Sequence, residues 1–224
     1  MVKIDERLLT YLDGLLPKTK GRLGEIQRLA YDEGLPIISA DTACFLSAIL
    51  TIKRPLRILE IGCAVGFSAA LFSQFLQDGG KIITIDRYEY MQQRAKENFA
   101  KLGISEKITL IEEDAALTLP KIVESEEKFD FIFMDCAKGQ YMRFFPYCLE
   151  LLAAGGLFVA DDVLQSGVIS WDFEEIPKRQ RTTYRNLREF LDYAMGLNGY
   201  YSSILPIGDG LLICAKGDEF VEKS

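Results

Sequence analysis

The chain has 224 residues, of which 49% are hydrophobic and 26% charged, with a formal net charge of −7 and no histidine. That length suits one domain, or one with a small appendage, and the composition supplies a sizeable core. The acidic balance argues against binding polyanions over the whole surface, the missing histidine removes Ser-His-Asp and Cys-His catalysis, and no apolar stretch approaches the roughly 20 residues of a membrane span.

Helical spacing of apolar residues predicts helices over 5–16 and 22–33, separated by Pro17 and Gly21, and a third over 39–52 capped by Ser39. From Pro55 the pattern becomes strand-helix alternation. Strands are predicted at 56–62, 81–87, 107–114, 129–135 and 155–162. Helices follow at 65–76, at 89–103 (ended by Gly103), just after Asp114 and at 140–152. After an irregular stretch a helix is expected over 180–195, and YYSSILP with GLLICAK reads as a closing hairpin turned by Gly208 and Gly210. The expected organisation is therefore one domain, with an N-terminal helical cap region at 1–54 and an α/β core at 55–224. Continuous apolar strands alternating with helices mean a mostly parallel sheet covered on both faces.

The N-terminus, MVKIDERLLTYLDG, carries acids among its apolar residues, unlike a secretion signal, so a cytoplasmic protein is expected. Cys44, Cys63, Cys136, Cys148 and Cys214 are scattered and form no CxxC pair, which reads as reduced core thiols.

In such sheets ligands bind beyond the carboxyl ends of the strands. The first strand ends in Glu60-Ile61-Gly62-Cys63-Ala64-Val65-Gly66-Phe67-Ser68, a glycine turn that lets backbone approach a ligand but lacks the GxGxxG dinucleotide spacing. The second ends in Asp86, where an acid can accept from two ribose hydroxyls; the third ends in Glu113-Asp114-Ala115, an acid for an adenine amino group with a small residue beside it. The fourth ends in Asp135 with Lys138 just beyond, and the fifth in Asp161-Asp162. Helix capping explains any one of these acids. It does not explain why Asp161 and Asp162 should converge with Asp135, because three carboxylates in one cleft repel unless a cation lies between them. Without histidine that cation would be held by oxygen, which favours magnesium.

Taken together, LEIGCAVGFSA, ITIDR, EEDA, FMDCAKGQY, VADDVL and GDGLLICAK resemble the class I S-adenosylmethionine-dependent O-methyltransferases of the catechol and caffeoyl-CoA type, from about Leu35 to the end. The resemblance implies a Rossmann-like fold: a seven-stranded, mostly parallel sheet with helices on both faces and an antiparallel C-terminal hairpin strand. It further implies that Ile38, Glu60, Gly62, Gly66, Ser68 and Asp135 border the cofactor, that Asp86 holds its ribose, and that Asp114 and Ala115 hold its adenine. Asp135, Asp161 and Asp162 would bind the metal, and Lys138 matches a lysine that helps deprotonate the acceptor hydroxyl. Relatives usually carry Asp-Asn where this chain carries Asp161-Asp162. A base near a metal should find its own ammonium disfavoured.

Such a metal asks for vicinal substrate oxygens, as in a catechol, a caffeoyl-CoA-like phenol or 5-hydroxyuridine. IPKRQRTTYRNLR gathers Lys178, Arg179, Arg181, Arg185 and Arg188, and the last three share one helical face. Basic faces of this kind contact phosphates. With the short N-terminal helices, the segment resembles the bacterial tRNA 5-hydroxyuridine methyltransferases, so the expected function is to make 5-methoxyuridine at the anticodon wobble position of tRNA, with a small catechol or caffeoyl-CoA-like phenol as the alternative acceptor. Trp171, Phe173, Tyr141 and Tyr184 are candidate stacking partners for such a base. The resemblance also implies a homodimer.

Overall fold

The computed structural model describes residues 5–217; residues 1–4 of the expected cap region and 218–224 of the expected core lie outside the described residues. Helices α1 (Glu6–Leu15), α2 (Gly21–Asp32) and α3 (Ala40–Lys53) come first. Then follow β1 (Arg57–Ile61), α4 (Phe67–Phe72), β2 (Lys81–Ile85), α5 (Glu89–Leu102), β3 (Ile108–Ile111), α6 (Ala115–Glu124), β4 (Phe129–Met134) and α7 (Tyr141–Leu151). The chain continues with β5 (Leu152–Ala160), α8 (Arg181–Met195), β6 (Tyr200–Leu205) and β7 (Leu211–Lys216). Seven strands form one sheet in the order β3-β2-β1-β4-β5-β7-β6. The first five are parallel, and β7 runs antiparallel to both of its neighbours.

Apolar clusters cover both faces of the sheet. On one, Leu119, Phe145, Leu187 and Phe190 of α6, α7 and α8 pack on Ile132 and Phe158; on the other, Ile26, Leu46, Phe72 and Phe99 of α2, α3, α4 and α5 pack on Ile58 and Phe131. Burying whole aromatic and aliphatic side chains at about 25 cal/mol per Å² makes these two layers the main stabilising term. Helices α2 and α3 thus share the core of the sheet, whereas α1 buries no residue.

Among the elements shorter than their sequence signal are α4 and β3. Gly66, in the left-handed region at φ 79°, delays α4 to Phe67. Strand β3 stops at Ile111 because Asp114 leaves the sheet to cap α6, accepting from the Ala116 backbone N–H. Lys138–Gln140 forms a single 3-10 turn ahead of α7. All five cysteines are free thiols.

Candidate active site

The register levels the strand ends. Ile61 pairs with Ile85 and Met134, and Met134 with Ala160, so Gly62, Asp86, Asp135 and Asp161 emerge along one edge. Each is still tied to its neighbour: Gly62 N–H donates to Ile85 O, Asp86 N–H to Ile111 O, Asp135 N–H to Ile61 O and Asp161 N–H to Met134 O, at 2.9–3.2 Å. The order reverses between β1 and β4, which opens a crevice at that point.

Above this edge lies a cavity of about 640 Å³. Of the residues expected from sequence, Ile38, Gly62, Ser68, Asp86, Asp114, Ala115, Asp135, Lys138, Asp161 and Asp162 line it. Glu60 and Gly66 do not; they stand behind the wall and shape it.

Gly62, at φ 102°, admits no side chain, since a Cβ would fall 1.9 Å from the Asp135 carbonyl oxygen. Gly66 faces the same limit from the Phe99 ring, at 2.6 Å. The turn between them is fixed by Asp86. Its Oδ2 accepts from the Cys63 and Ala64 N–H groups at 3.1 and 2.9 Å, and its Oδ1 from Tyr88 N–H at 2.9 Å. Buried Asn98 donates to Val65 O at 2.8 Å and closes the loop from below. Asp114 accepts from Arg87 Nη1 at 2.9 Å, a partner 27 residues away in the chain. Backbone capping at Ala116 and then Arg87 hold its carboxyl below the usual range. Arg87, Tyr88, Met91, Arg143 and Phe144 complete this side of the cavity, and sequence reasoning missed all of them; the position of Arg87 directly after Asp86 was the available signal.

Glu60 is fully buried behind the turn. Thr84 Oγ1 donates to its Oε2 at 2.5 Å, while its Oε1 has no partner. Burial pushes its carboxyl up to about 8; the nearby hydroxyls of Ser68 and Thr84 offset this in part, and the charges of Asp135 and Asp86 add to it.

At the other end, burial and then the charges of Asp135 and Asp162 push Asp161 up to about 8. Asp135 is likewise raised by burial. Lys138 Nζ lies 2.5 Å from Asp162 Oδ2 and 3.4 Å from Asp135 Oδ1. Burial works against its charge, but Asp135 and Asp162 outweigh that and raise the amine above its ordinary value. The ammonium is therefore favoured here, not disfavoured as the sequence suggests, because two carboxylates reach it directly. Buried Tyr141 donates to Asp161 O at 2.7 Å and holds the end of β5. Among the described residues no group of three or more His, Cys, Asp or Glu is gathered closely enough to hold a metal ion. The expected convergence of Asp135, Asp161 and Asp162 is met only in part: they share a cavity, and an ammonium stands between two of them. The donors themselves, three carboxylates lining one cavity, match a hard divalent cation in chemistry.

One cavity thus joins an acid-pinned glycine turn to a lysine among carboxylates, and the O-methyltransferase family model matches residues 20–217. The chain belongs to the O-methyltransferase family. It is an S-adenosylmethionine-dependent enzyme. Caffeoyl-CoA O-methyltransferase 1 of Eucalyptus globulus is 27% identical over 187 residues, covering 80% of this chain and 74% of that protein. A crystal structure from Staphylococcus aureus, provisionally assigned as a caffeoyl-CoA O-methyltransferase, is 28% identical with a TM-score of 0.84 over 93% of this chain and 98% of that one. The O-methyltransferase from Bacillus cereus in complex with SAH has the same fold, with a TM-score of 0.80 at 23% identity over 92% and 96% of the two chains.

None of the basic residues of 178–188 lines the methyltransferase cavity. Arg181 is spent locally, donating to Ile176 O and Glu174 O, and Arg188 donates to Tyr184 Oη. Lys178, Arg179 and Arg185 are exposed. Tyr141 and Tyr184 are buried, the latter donating to Trp171 O, so neither can stack on a base; Trp171 and Phe173 are exposed. Helix α8 approaches the site through Asn186, which donates to Gly139 O at 3.3 Å in the turn that carries Lys138. No described helix is long and apolar enough to cross a membrane.

Proposed function

We propose that this methyltransferase acts on a small hydroxylated aromatic, a catechol or a caffeoyl-CoA-like phenol with vicinal oxygens. What carries the reading is the single cavity that runs from the Asp86-pinned turn to Lys138; the caffeoyl-CoA O-methyltransferases among the relatives support it. Asp86 would hold the cofactor ribose. Ala115 would border the adenine, and each Asp114 oxygen already accepts one hydrogen bond, which leaves a lone pair for an amino group. Ile38, Gly62 and Ser68 would enclose the methionine end, with Glu60 and Gly66 supporting them from behind.

Asp135, Asp161 and Asp162 would hold a divalent cation, magnesium by the hardness of the donors. Bound there, it would supply Lewis acidity that lowers the pKa of the acceptor hydroxyl. The chain's own residues do the rest. Lys138, once free of its carboxylates and having given up its own proton to solvent, takes the hydroxyl proton as a neutral amine, and the strand ends align oxygen, methyl carbon and sulfur so that an O–C bond forms as the C–S bond breaks. Helix α1 exposes Leu9, Tyr11, Leu12 and Leu15, a face that the proposed homodimer would cover.

A second reading, 5-hydroxyuridine in a tRNA anticodon loop, is favoured by exposed Lys178, Arg179 and Arg185 beside Phe173 on the segment that packs on the Lys138 turn. Incubation with labelled cofactor and magnesium, against a catechol and phenol panel and against tRNA bearing 5-hydroxyuridine, separates the two. Label in the phenols is expected. Label in tRNA alone would overturn the first reading for the second.

A further inference from the structure

Lys138 reaches its partners from a turn ahead of α7, whereas Asp135 and Asp162 stand at the ends of β4 and β5. Asp162 is the less movable of the pair it forms with Lys138. Its backbone is held at φ 56°, and Gln165 and Ser166 beyond it are also left-handed, at φ 48° and 52°. The β6–β7 turn pins this loop: Val163 N–H donates to Gly210 O at 3.0 Å, Leu164 N–H to Asp209 O at 2.9 Å, and Ser166 N–H to the Asp209 carboxylate. Three left-handed non-glycine residues persist only where the surroundings fix them. The lysine, by contrast, reaches its partners through a long flexible side chain.

An ammonium 2.5 Å from Asp162 Oδ2 repels a divalent ion drawn to the same carboxylate, so each cation weakens the other's hold on it. An Asn at 162 would offer a metal an oxygen but would hold a lysine by a neutral hydrogen bond only. An Asp gives the lysine a full charge-assisted partner.

We propose that Lys138 and a divalent cation compete for the Asp162 carboxylate, so that the lysine is tethered in the metal-free enzyme and released toward the acceptor when the ion binds. The inference rests on the metal reading above. Asp162 then has two partners in turn, and the proton acceptor is withheld from the cavity until the metal is in place.

Two measurements on the full chain test it, neither needing turnover. Manganese binding, followed by the loss of the free-ion electron paramagnetic resonance signal, is compared in the native enzyme and Lys138→Met. Removing the competitor should tighten binding by about tenfold or more. In parallel, acylation of Lys138 by a small amine reagent is quantified by peptide mass, and magnesium should speed it several-fold in the native enzyme. Native enzyme that binds manganese no more weakly than Lys138→Met, with Lys138 labelling indifferent to magnesium, would overturn the competition while leaving the metal reading in place. Failure of both proteins to bind manganese at millimolar concentration would instead remove the metal reading, and the competition with it. The labelling arm uses native protein, so it decides even if Lys138→Met folds poorly.

Discussion

The two ends of the cavity solve the same problem, a row of acids at strand ends, in opposite ways. At the β1–β2 end, Asp86 spends its oxygens on three backbone N–H groups, and the turn it holds is settled before any ligand arrives. At the β4–β5 end, Asp135, Asp161 and Asp162 have one ammonium between them, and burial leaves Asp161 raised to about 8. A site that must recognise the same cofactor every cycle benefits from preorganisation. A site that must take up and give up a proton benefits from charge that is still unbalanced.

The largest expected effect strikes where the two ends meet. Gly62→Ala puts a Cβ 1.9 Å from the Asp135 carbonyl oxygen at a φ of 102°, so either the turn or the end of β4 must shift. Left-handed strain and overpacking together cost about 3 kcal/mol or more, which for a domain of this size lowers the melting temperature by roughly 6–12 °C. Thermal unfolding and cofactor titration should both register the loss. Unchanged cofactor affinity would mean that the two ends are not mechanically joined through Gly62.

Lys138→Met confines the damage to the unbalanced end. Turnover should fall by about 10²–10⁴, the usual worth of a positioned base, with cofactor affinity within about twofold of native. A comparable fall in cofactor affinity would show that the two ends are not separable.

How much of this could be seen in the sequence follows the same division. The mostly parallel sheet and its strand ends were legible because continuous apolar runs such as FDFIFM, alternating with helices, read as buried strands, and most of them end in an acid. The glycines were legible as a turn, though their reason, Asp135 O beside Gly62 and the Phe99 ring against Gly66, is tertiary. What could not be read is where long side chains go. Arg87 turns to Asp114, Arg181 to the backbone of Ile176, and Lys138 to Asp162, 24 residues away. Spacing alone had put Arg181, Arg185 and Arg188 on one free face, and the fold spends two of them locally.

A smaller effect comes from Glu60, buried beneath the settled end yet not itself settled. With its carboxyl raised from 4.5 to about 8, the folded chain keeps a proton that the unfolded chain has released. Stability therefore falls as pH rises through that window, by roughly 1.4 kcal/mol per unit for this one group. Glu60→Gln removes the titration, and its melting temperature should vary less than native between pH 5.5 and 8.5 in the presence of a chelator. Parallel pH profiles would show that Glu60 carries no proton in the folded chain, and the buried Oε1 would then need a partner of another kind.

The least effect on the proposed reaction should come from outside both ends. Lys178, Arg179 and Arg185 are exposed and line no part of the cavity, so changing all three to Ala should leave phenol turnover within about twofold, in keeping with the small effect of surface substitutions. Their influence on tRNA is the informative quantity. If they contact phosphates, each lost cation removes about one unit from the slope of log affinity against log salt, about three in all. A slope that does not change assigns the three cations to an ordinary solvated face and takes away the observation that favours an RNA acceptor. A slope reduced by three, with phenol turnover intact, would mean that the segment packed on the Lys138 turn docks a polyanion independently of the chemistry beneath it. The acceptor would then be chosen by a surface that neither end of the cavity contains.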